Sequence, residues 1–596
     1  MNESRAGRRG WRSRLALLLV VALLGGCALP TLRQRPPSFA LDDAPAAATA
    51  LGRAAAPVCA AHPGRSGIHA LADPGDAFVA RALLAGAAER TLDVQYYIWR
   101  GDVTGTLLLQ ALAAAADRGV RVRLLLDDNG TAGLDDALAA LDAHPNIEVR
   151  LFNPFAVRAP RLLGFLTDFP RANRRMHNKS FTVDNRATIV GGRNIGDEYF
   201  GAAAGTLFAD LDVLAVGPVV GQVSSQFDRY WASASAYPLR GILAPAGPEA
   251  LAELAGRARR LEDSPAAARY VRGLRDSSFV RDLLAGRLAL DWATTRMVSD
   301  APLKGLGLAS DGELLTHQLV TIVGAPSSEL ELISPYFVPT EAGLRAFVAQ
   351  RANGVRVRIF TNSLEATDVV AVHAGYARWR KALLESGVVL YEMRRTAPPA
   401  LGRQRRAGRF GSAASSLHAK TFVVDGERVF VGSFNFDPRS ARLNTELGFV
   451  IDSPRLAQRS ERYFTESIPQ HGPARAGAGH EKRRGDAGSA GAYRYGEGPR
   501  DFFCPLLRTT LRHIYRPYVG AAGRPPRQHP PARLRGAPRR ARPAVLAGAA
   551  RRRAGAPCQR AGRQPLAARR RRAALGAAAR GAAVSGALCH DARPPV

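Results

Sequence analysis

The sequence predicts an α/β fold made of two pseudo-symmetric halves that form one bilobal unit, followed by a disordered tail. Three observations predict it. Strand patterns and helix patterns alternate along the chain. The string Gly-Val-Arg-Val-Arg occurs twice, at 119–123 and 354–358. A motif of His, Lys and Asp recurs with one spacing, once in each half.

Taken in order, the chain begins with Arg5, Arg8, Arg9, Arg12 and Arg14, then the apolar run LALLLVVALL at 15–24. That run is too short to span a bilayer as a helix and reads as a signal segment. It ends Leu24-Gly25-Gly26-Cys27, which resembles a bacterial lipoprotein cleavage site. The resemblance implies that Cys27 becomes the lipidated first residue. With Ala28 next, and no Asp there, it also implies the outer membrane. Residues 28–60 are Pro- and Ala-rich and read as a tether. The first half is expected over 61–240. It starts with the strand TLDVQYYIW (91–99), a helix through LLLQALAAAADRG (107–119), and the strands VRVRLLLDDN (120–129) and IEVRLFNPF (147–155). Residues 241–310 read as a helical connector. The second half, 311–468, repeats the order. It has LELISPYFVP (330–339), the helix EAGLRAFVAQRANG (341–354), then the strands VRVRIFTNS (355–363) and VVLYEM (388–393).

The net charge of +32 points to nucleic acid or a membrane only until it is located. Residues 471–596 hold 27 Arg or Lys against 5 Asp or Glu; the first 470 residues hold 56 against 46. The tail at 469–596 is Arg-, Ala-, Gly- and Pro-rich, keeps one lysine (Lys482), and shows no helix or strand period. This is the composition that GC-rich DNA gives when read out of frame. The reading is therefore a disordered or frameshifted tail, with a basic arm for anionic lipid or nucleic acid as the rival. Five cysteines show no zinc spacing and no disulfide framework.

The chemistry sits in MHNKSFTVDNRATIVGGRN (176–194) and LHAKTFVVDGERVFVGSFN (417–435). Both read H-x-K-x4-D-x6-G-[GS]-x-N. Residues two apart on a strand face the same side, so His177 points with Lys179 and His418 with Lys420. Two copies would surround an anion with two ammoniums and the amides of Asn194 and Asn435, with Ser433 beside them. That is the electrostatic need of phosphoryl transfer. One histidine can attack phosphorus and the other can protonate the leaving oxygen. Asp184 and Asp425 complete the catalytic motif in sequence but sit at hairpin turns, and read as structural carboxylates.

These motifs, with HPGRSGIHALAD (62–73), LDVQYYIW (92–99), LLLDDN (124–129), RRMHNKSF (174–181), GGRNIGDEYF (191–200) and SLHAKTFVVD (416–425), resemble the phospholipase D superfamily. Around the motifs they resemble its bacterial cardiolipin synthases and phospholipase D-like lipoproteins. The resemblance implies two α/β halves around one site, a covalent phosphohistidine, and no metal or other cofactor. It makes His177 the nucleophile and His418 the acid, with the reverse left open. It also implies a carboxylate on the far nitrogen of each histidine. Glu446 in LNTELGFV (443–450) fits the second motif; Asp210 in FADLDVLAV (208–216) fits the first, with Asp212 as the alternative.

Other residues carry less. Tyr96, Tyr97 and Trp99 read as core in preference to a lipid pocket, and Asp127 and Asp128 as a strand end that either lines a site or caps a loop. His69 has no assigned role, and His373, near Glu365 and Asp368, is at best a substrate contact. The leading function is phosphatidyl transfer to phosphatidylglycerol, with phosphatidylethanolamine as a further substrate. Hydrolysis by water is the alternative. A superfamily nuclease is disfavoured by the lipid anchor and the two-repeat body, and an inactive tethered binder by the completeness of both motifs.

Overall fold

The computed structural model describes residues 29–471 except 33–34, 159, 203–205, 248, 276, 285–286 and 394–413. Cys27, the signal segment and nearly all of the Arg-rich tail lie outside the described residues. The first half supplies β1 (Ser66–Leu71), β2 (Thr91–Tyr96), β3 (Arg121–Asp127), β4 (Ile147–Phe152), β5 (Ser180–Val183), β6 (Ala187–Gly191), β7 (Thr206–Ala209), β8 (Asp212–Val216) and β9 (Ala236–Pro238). There follow β10 (Asp291–Ser299), β11 (Glu329–Ile333), β12 (Arg356–Asn362), β13 (Val389–Met393), β14 (Ala414–Leu417), β15 (Thr421–Val424), β16 (Arg428–Gly432) and β17 (Leu447–Asp452).

Fifteen of these form one sheet in the order β13-β12-β11-β15-β16-β17-β10-β1-β8-β6-β5-β2-β3-β4-β9. The order reads almost alike outward from its centre. There β1 and β10 pair antiparallel, Ser66 opposite Ala293 and Ile68 opposite Asp291. This corrects the helical connector. Helices do occupy Ala250–Glu262, Pro265–Arg275 and Ser278–Leu284, but DWATTRMVS is β10, the counterpart of β1 and the first strand of the second half. Its Thr, Val and Met side chains suit a pleated surface.

The repeated string has a packing reason. Its second arginine forms a buried ion pair with the acid on the neighbouring parallel strand: Arg123 Nε lies 2.6 Å from Asp93, and Arg358 pairs with Glu331. The neighbours on either side along each strand turn apolar side chains to the opposite face. Leu92, Val94, Val122 and Leu124 are fully buried in the first half, as are Val357 and Ile359 in the second.

The expected tether is also corrected. Residues 35–60 lie along the first half and include helices Asp43–Ala47 and Ala50–Ala60. Alanine is the strongest helix former, and Thr49 caps the second helix through Gly52 N. The extended part is held by its backbone. Ser38 O accepts from Arg123 at 2.7 Å, Leu41 O from Asn185 at 3.0 Å, and Ala40 N donates to Asp228 at 2.9 Å.

Candidate active site

Each motif histidine sits just before a strand, at the sheet end where β2 and β3, or β11 and β12, finish. The residue preceding it is pinned from β3 or β12. Met176 N donates to Asp127 Oδ2 at 2.7 Å and Leu417 N to Asn362 Oδ1 at 2.9 Å. The segments then cross over. Met176 bridges Thr445, and His177 N donates to Thr445 O at 2.9 Å. In the mirrored arrangement β14 runs parallel to β7, and His418 N donates to Ala209 O at 2.8 Å. Each histidine is therefore hung on the segment that leads to the other half's carboxylate.

This corrects the expected pairing. His177 Nδ1 lies 2.8 Å from Oε2 of Glu446, and His418 Nδ1 lies 2.5 Å from Oδ2 of Asp210. Glu446 serves the first motif and Asp210 the second. The alternative, Asp212, is spent elsewhere: it pairs with Arg81 at 2.8 Å and Arg193 at 3.4 Å, all three buried. With Nδ1 of each ring set against a carboxylate, Nε2 is the nitrogen that the carboxylates leave uncommitted.

The small residues at G-[GS] follow from these carboxylates. A Cβ on Gly192 would stand 2.1 Å from Asp210 Oδ1, and one on Gly191 2.2 Å from Asp212 Oδ1. In the second copy Ser433 replaces Gly192. Its hydroxyl donates to Glu446 Oε2 and accepts from Leu447 N at 3.0 Å. Ser433, expected to face a phosphate, thus braces the carboxylate instead. Asn194 is engaged at both ends, accepting from Ile98 N at 3.2 Å and donating to the Tyr199 hydroxyl at 3.0 Å. Asn435 Oδ1 is buried and makes no hydrogen bond among the described residues.

Lys179 Nζ donates to His177 O at 2.6 Å, and Lys420 Nζ lies 2.9 and 3.1 Å from the ring nitrogens of His418. Both lysines are 1% exposed. Burial lowers the Lys179 pKa to about 7 and that of Lys420 to about 8, against the pull of Glu446 and Asp210. Burial likewise lowers each histidine to about 4. Asp210 and Glu446 are held below the usual carboxylate range despite burial, by their histidine partners and the lysines. The site therefore gathers two carboxylates that stay ionised, two imidazoles that burial keeps neutral and two buried lysines that burial brings close to neutral pH.

The motif aspartates stand apart from this cluster. Asp184 accepts the backbone N–H groups of Glu89, Arg90 and Thr91, and Asp425 those of Ser327, Ser328 and Glu329. Each ties its hairpin to the start of β2 or β11.

The aromatic run divides. Tyr96 and Trp99 are core, but the Tyr97 ring meets the His177 ring edge-on at 5.0 Å. Asp128 is spent on Phe155 N and Arg158, and His69 on Ala289 O. His373 packs on Tyr376 at 5.6 Å.

Sequence reasoning missed Asp300, which directly follows β10. It accepts Glu446 N at 2.8 Å while pairing with buried Lys304 at 2.9 Å. A lone Asp in a segment read as helical gave no signal. Tyr199 and Phe208, 5.2 and 5.1 Å from the His418 ring, were missed as well. Both lie inside quoted strings, where one-letter patterns do not reveal a neighbour in the other half.

A family profile described as cardiolipin synthase, phospholipase D-like domain, matches residues 82–231 and 319–468. Cardiolipin synthase C of Escherichia coli K12 is 54% identical over 421 residues, covering 70% of this chain and 88% of that protein. An uncharacterised protein of Helicobacter pylori 26695 is 34% identical over 408 residues, 67% of this chain and 78% of its own. The crystal structure of a phosphatidylserine synthase from Haemophilus influenzae matches with a TM-score of 0.46 at 15% identity, over 68% of this chain and 86% of that one.

Proposed function

The chain belongs to the cardiolipin synthase, phospholipase D-like family, and from that premise we propose that it is a phosphatidyltransferase working through a phosphohistidine. What supports this reading above all is the pair of cross-half His–carboxylate contacts set around two buried lysines. In the first step His177 Nε2 attacks phosphorus. The bond to the head alcohol breaks, and its oxygen takes a proton from His418 Nε2. In the second step an acceptor hydroxyl gives its proton to His418 and attacks phosphorus, and the phosphorus–nitrogen bond breaks to free His177. Glu446 and Asp210 hold the tautomers and stabilise the imidazolium that forms. Lys179, Lys420, Asn194 and Asn435 take the charge on the phosphoryl oxygens. His418 starts neutral through burial; the phosphodiester anion offsets the two lysines and favours its protonation.

Phosphatidylglycerol as acceptor gives cardiolipin, and phosphatidylethanolamine is a further donor; water as acceptor gives phosphatidic acid. The decisive experiment incubates the purified protein with phosphatidylglycerol, with and without phosphatidylethanolamine, and separates products by thin-layer chromatography. Cardiolipin formed by the wild type and absent with His177→Ala is the expected result. Phosphatidic acid alone would replace the transferase with a lipase, and cleavage of DNA without any lipid product would replace both with a nuclease.

Among the described residues no helix is long and apolar enough to cross a membrane. Membrane association fits the family, and a lipid on Cys27, facing the periplasm from the outer membrane, is the anchor proposed here. Labelled palmitate should enter the wild type and not Cys27→Ala.

A further inference from the structure

The two sides of the site carry different chemistry just beyond the ends of β2 and β11. On the first side the Tyr97 hydroxyl accepts from Asn129 Nδ2 at 3.2 Å, and the charge of Asp127 acts on it ahead of those of Arg175 and Arg439. On the second side the Tyr336 hydroxyl donates to Asp368 Oδ2 at 2.7 Å. Tyr336 lies within electrostatic reach of Tyr97 and Tyr199, the rings that flank His177 and His418. The Asp368 carboxylate is exposed, and its loop is tied to the segment before His418, Ala366 O accepting from Ser416 Oγ at 2.7 Å; its charge acts on buried Lys420. Its Oδ1 takes no hydrogen bond among the described residues. One mouth of the site thus offers a neutral amide among charges of both signs. The other offers a fixed carboxylate with an open oxygen, oriented by a half-buried phenol.

The second mouth is the His418 side, and in the proposed mechanism His418 handles the proton of the head alcohol. A carboxylate there cannot welcome a phosphate. It can accept a hydrogen bond from a hydroxyl adjacent to the one that reacts. Water has no such second hydroxyl to offer, and neither does a simple alcohol.

We propose that Asp368, oriented by Tyr336, is the subsite for a vicinal diol, and that it selects a glycerol head group over water and over monohydric alcohols as acceptor. This rests on the phosphatidyltransferase reading and deepens it: the geometry names what makes the second step a transfer rather than a hydrolysis. The attacking hydroxyl forms the new phosphorus–oxygen bond and gives its proton to His418 Nε2. The neighbouring hydroxyl donates to Asp368 and is unchanged. The electron pair of the broken phosphorus–nitrogen bond returns to His177.

The test uses the full-length protein and a radiolabelled phosphatidyl donor, with equal concentrations of glycerol and 1-propanol as competing soluble acceptors. Three products are counted from one intermediate: the glycerol ester, the propyl ester and phosphatidic acid. Their ratios do not depend on how fast the intermediate forms, so a merely damaged enzyme keeps them. The wild type should favour glycerol over propanol. Asp368→Asn and Asp368→Ala should each lower that preference about tenfold and raise the share of phosphatidic acid, the size expected for a lost hydrogen bond to a charged group. Tyr336→Phe should do so more weakly. Asp368 is exposed, so its variants should fold. Unchanged ratios in all three variants would overturn the subsite and leave the transferase standing. A wild type that esterified neither alcohol would overturn the transferase, and the subsite with it.

Discussion

Asp210 and His418 belong to opposite halves of the molecule, yet Oδ2 of one stands 2.5 Å from Nδ1 of the other. Glu446 reaches His177 in the same manner at 2.8 Å. Neither half contains an oriented histidine by itself, so the duplication yields one site and not two.

That crossing separates the two carboxylates by function. Under the proposed assignment, Asp210→Asn cripples the acid and leaves the nucleophile oriented. With a natural phospholipid, turnover should fall about 10²- to 10⁴-fold, the usual span for a lost general acid. With a p-nitrophenyl phosphodiester, whose leaving group needs no proton, formation of the intermediate should fall far less. Glu446→Gln should slow both substrates alike. Stopped-flow release of nitrophenolate measures it, and the opposite pattern would exchange the roles of the histidines.

The covalent step can be caught directly. In His418→Asn, an activated phosphodiester should label His177 and stall, because the acceptor has no base. Alkaline quench preserves phosphohistidine, and peptide mapping locates it. Label on neither histidine counts against the covalent mechanism.

Much of this was legible in the sequence, and the exceptions have one cause. Spacing alone put His177 with Lys179 and His418 with Lys420, because strand period is local. The hairpin roles of Asp184 and Asp425 were legible for the same reason. The pairing of Glu446 with His177 was not. Alignment within a half sets each carboxylate beside its own motif, and only packing between halves, through Thr445 and Ala209, moves it across. β10 was missed because its meaning lies in pairing with β1 and β17. Asp300 went with it.

The pH profile should show which groups must be charged. In the proposed mechanism His177 has to be neutral to attack, and burial holds it near a pKa of about 4. Lys179 and Lys420 have to be protonated to hold phosphate, and burial brings them down to about 7 and about 8. A lysine with a lowered pKa loses its charge as pH rises through that value, so kcat/KM should bend down more steeply above about pH 7, beyond the decline that the need to protonate His418 imposes from about pH 4. A bound anion favours the charged ammonium. The basic limb of kcat, measured at saturating lipid in mixed micelles, should therefore lie at higher pH than that of kcat/KM. Identical limbs would show that these lysines are not the titrating groups.

Asp184 and Asp425 offer a test of the fold that leaves the chemistry aside. Each accepts three backbone N–H groups, so replacement by Asn, which puts a donor against donors, should cost about 1–3 kcal/mol. Their pH dependences should run in opposite directions. Backbone N–H groups hold Asp425 well below the usual carboxylate range, although burial opposes them. Its contribution is present above the unfolded value of about 3.9 and is lost as pH falls through the folded one. Burial raises Asp184 instead, the same kind of hydrogen bonds notwithstanding. Its contribution is fullest below the unfolded value and shrinks as pH rises through the folded one. Urea melts at pH 7 and near pH 3, below the unfolded value, should show the deficit of Asp425→Asn narrowing with acid and that of Asp184→Asn widening. Parallel trends at the two positions would mean that burial does not divide these matched carboxylates as the structure has it.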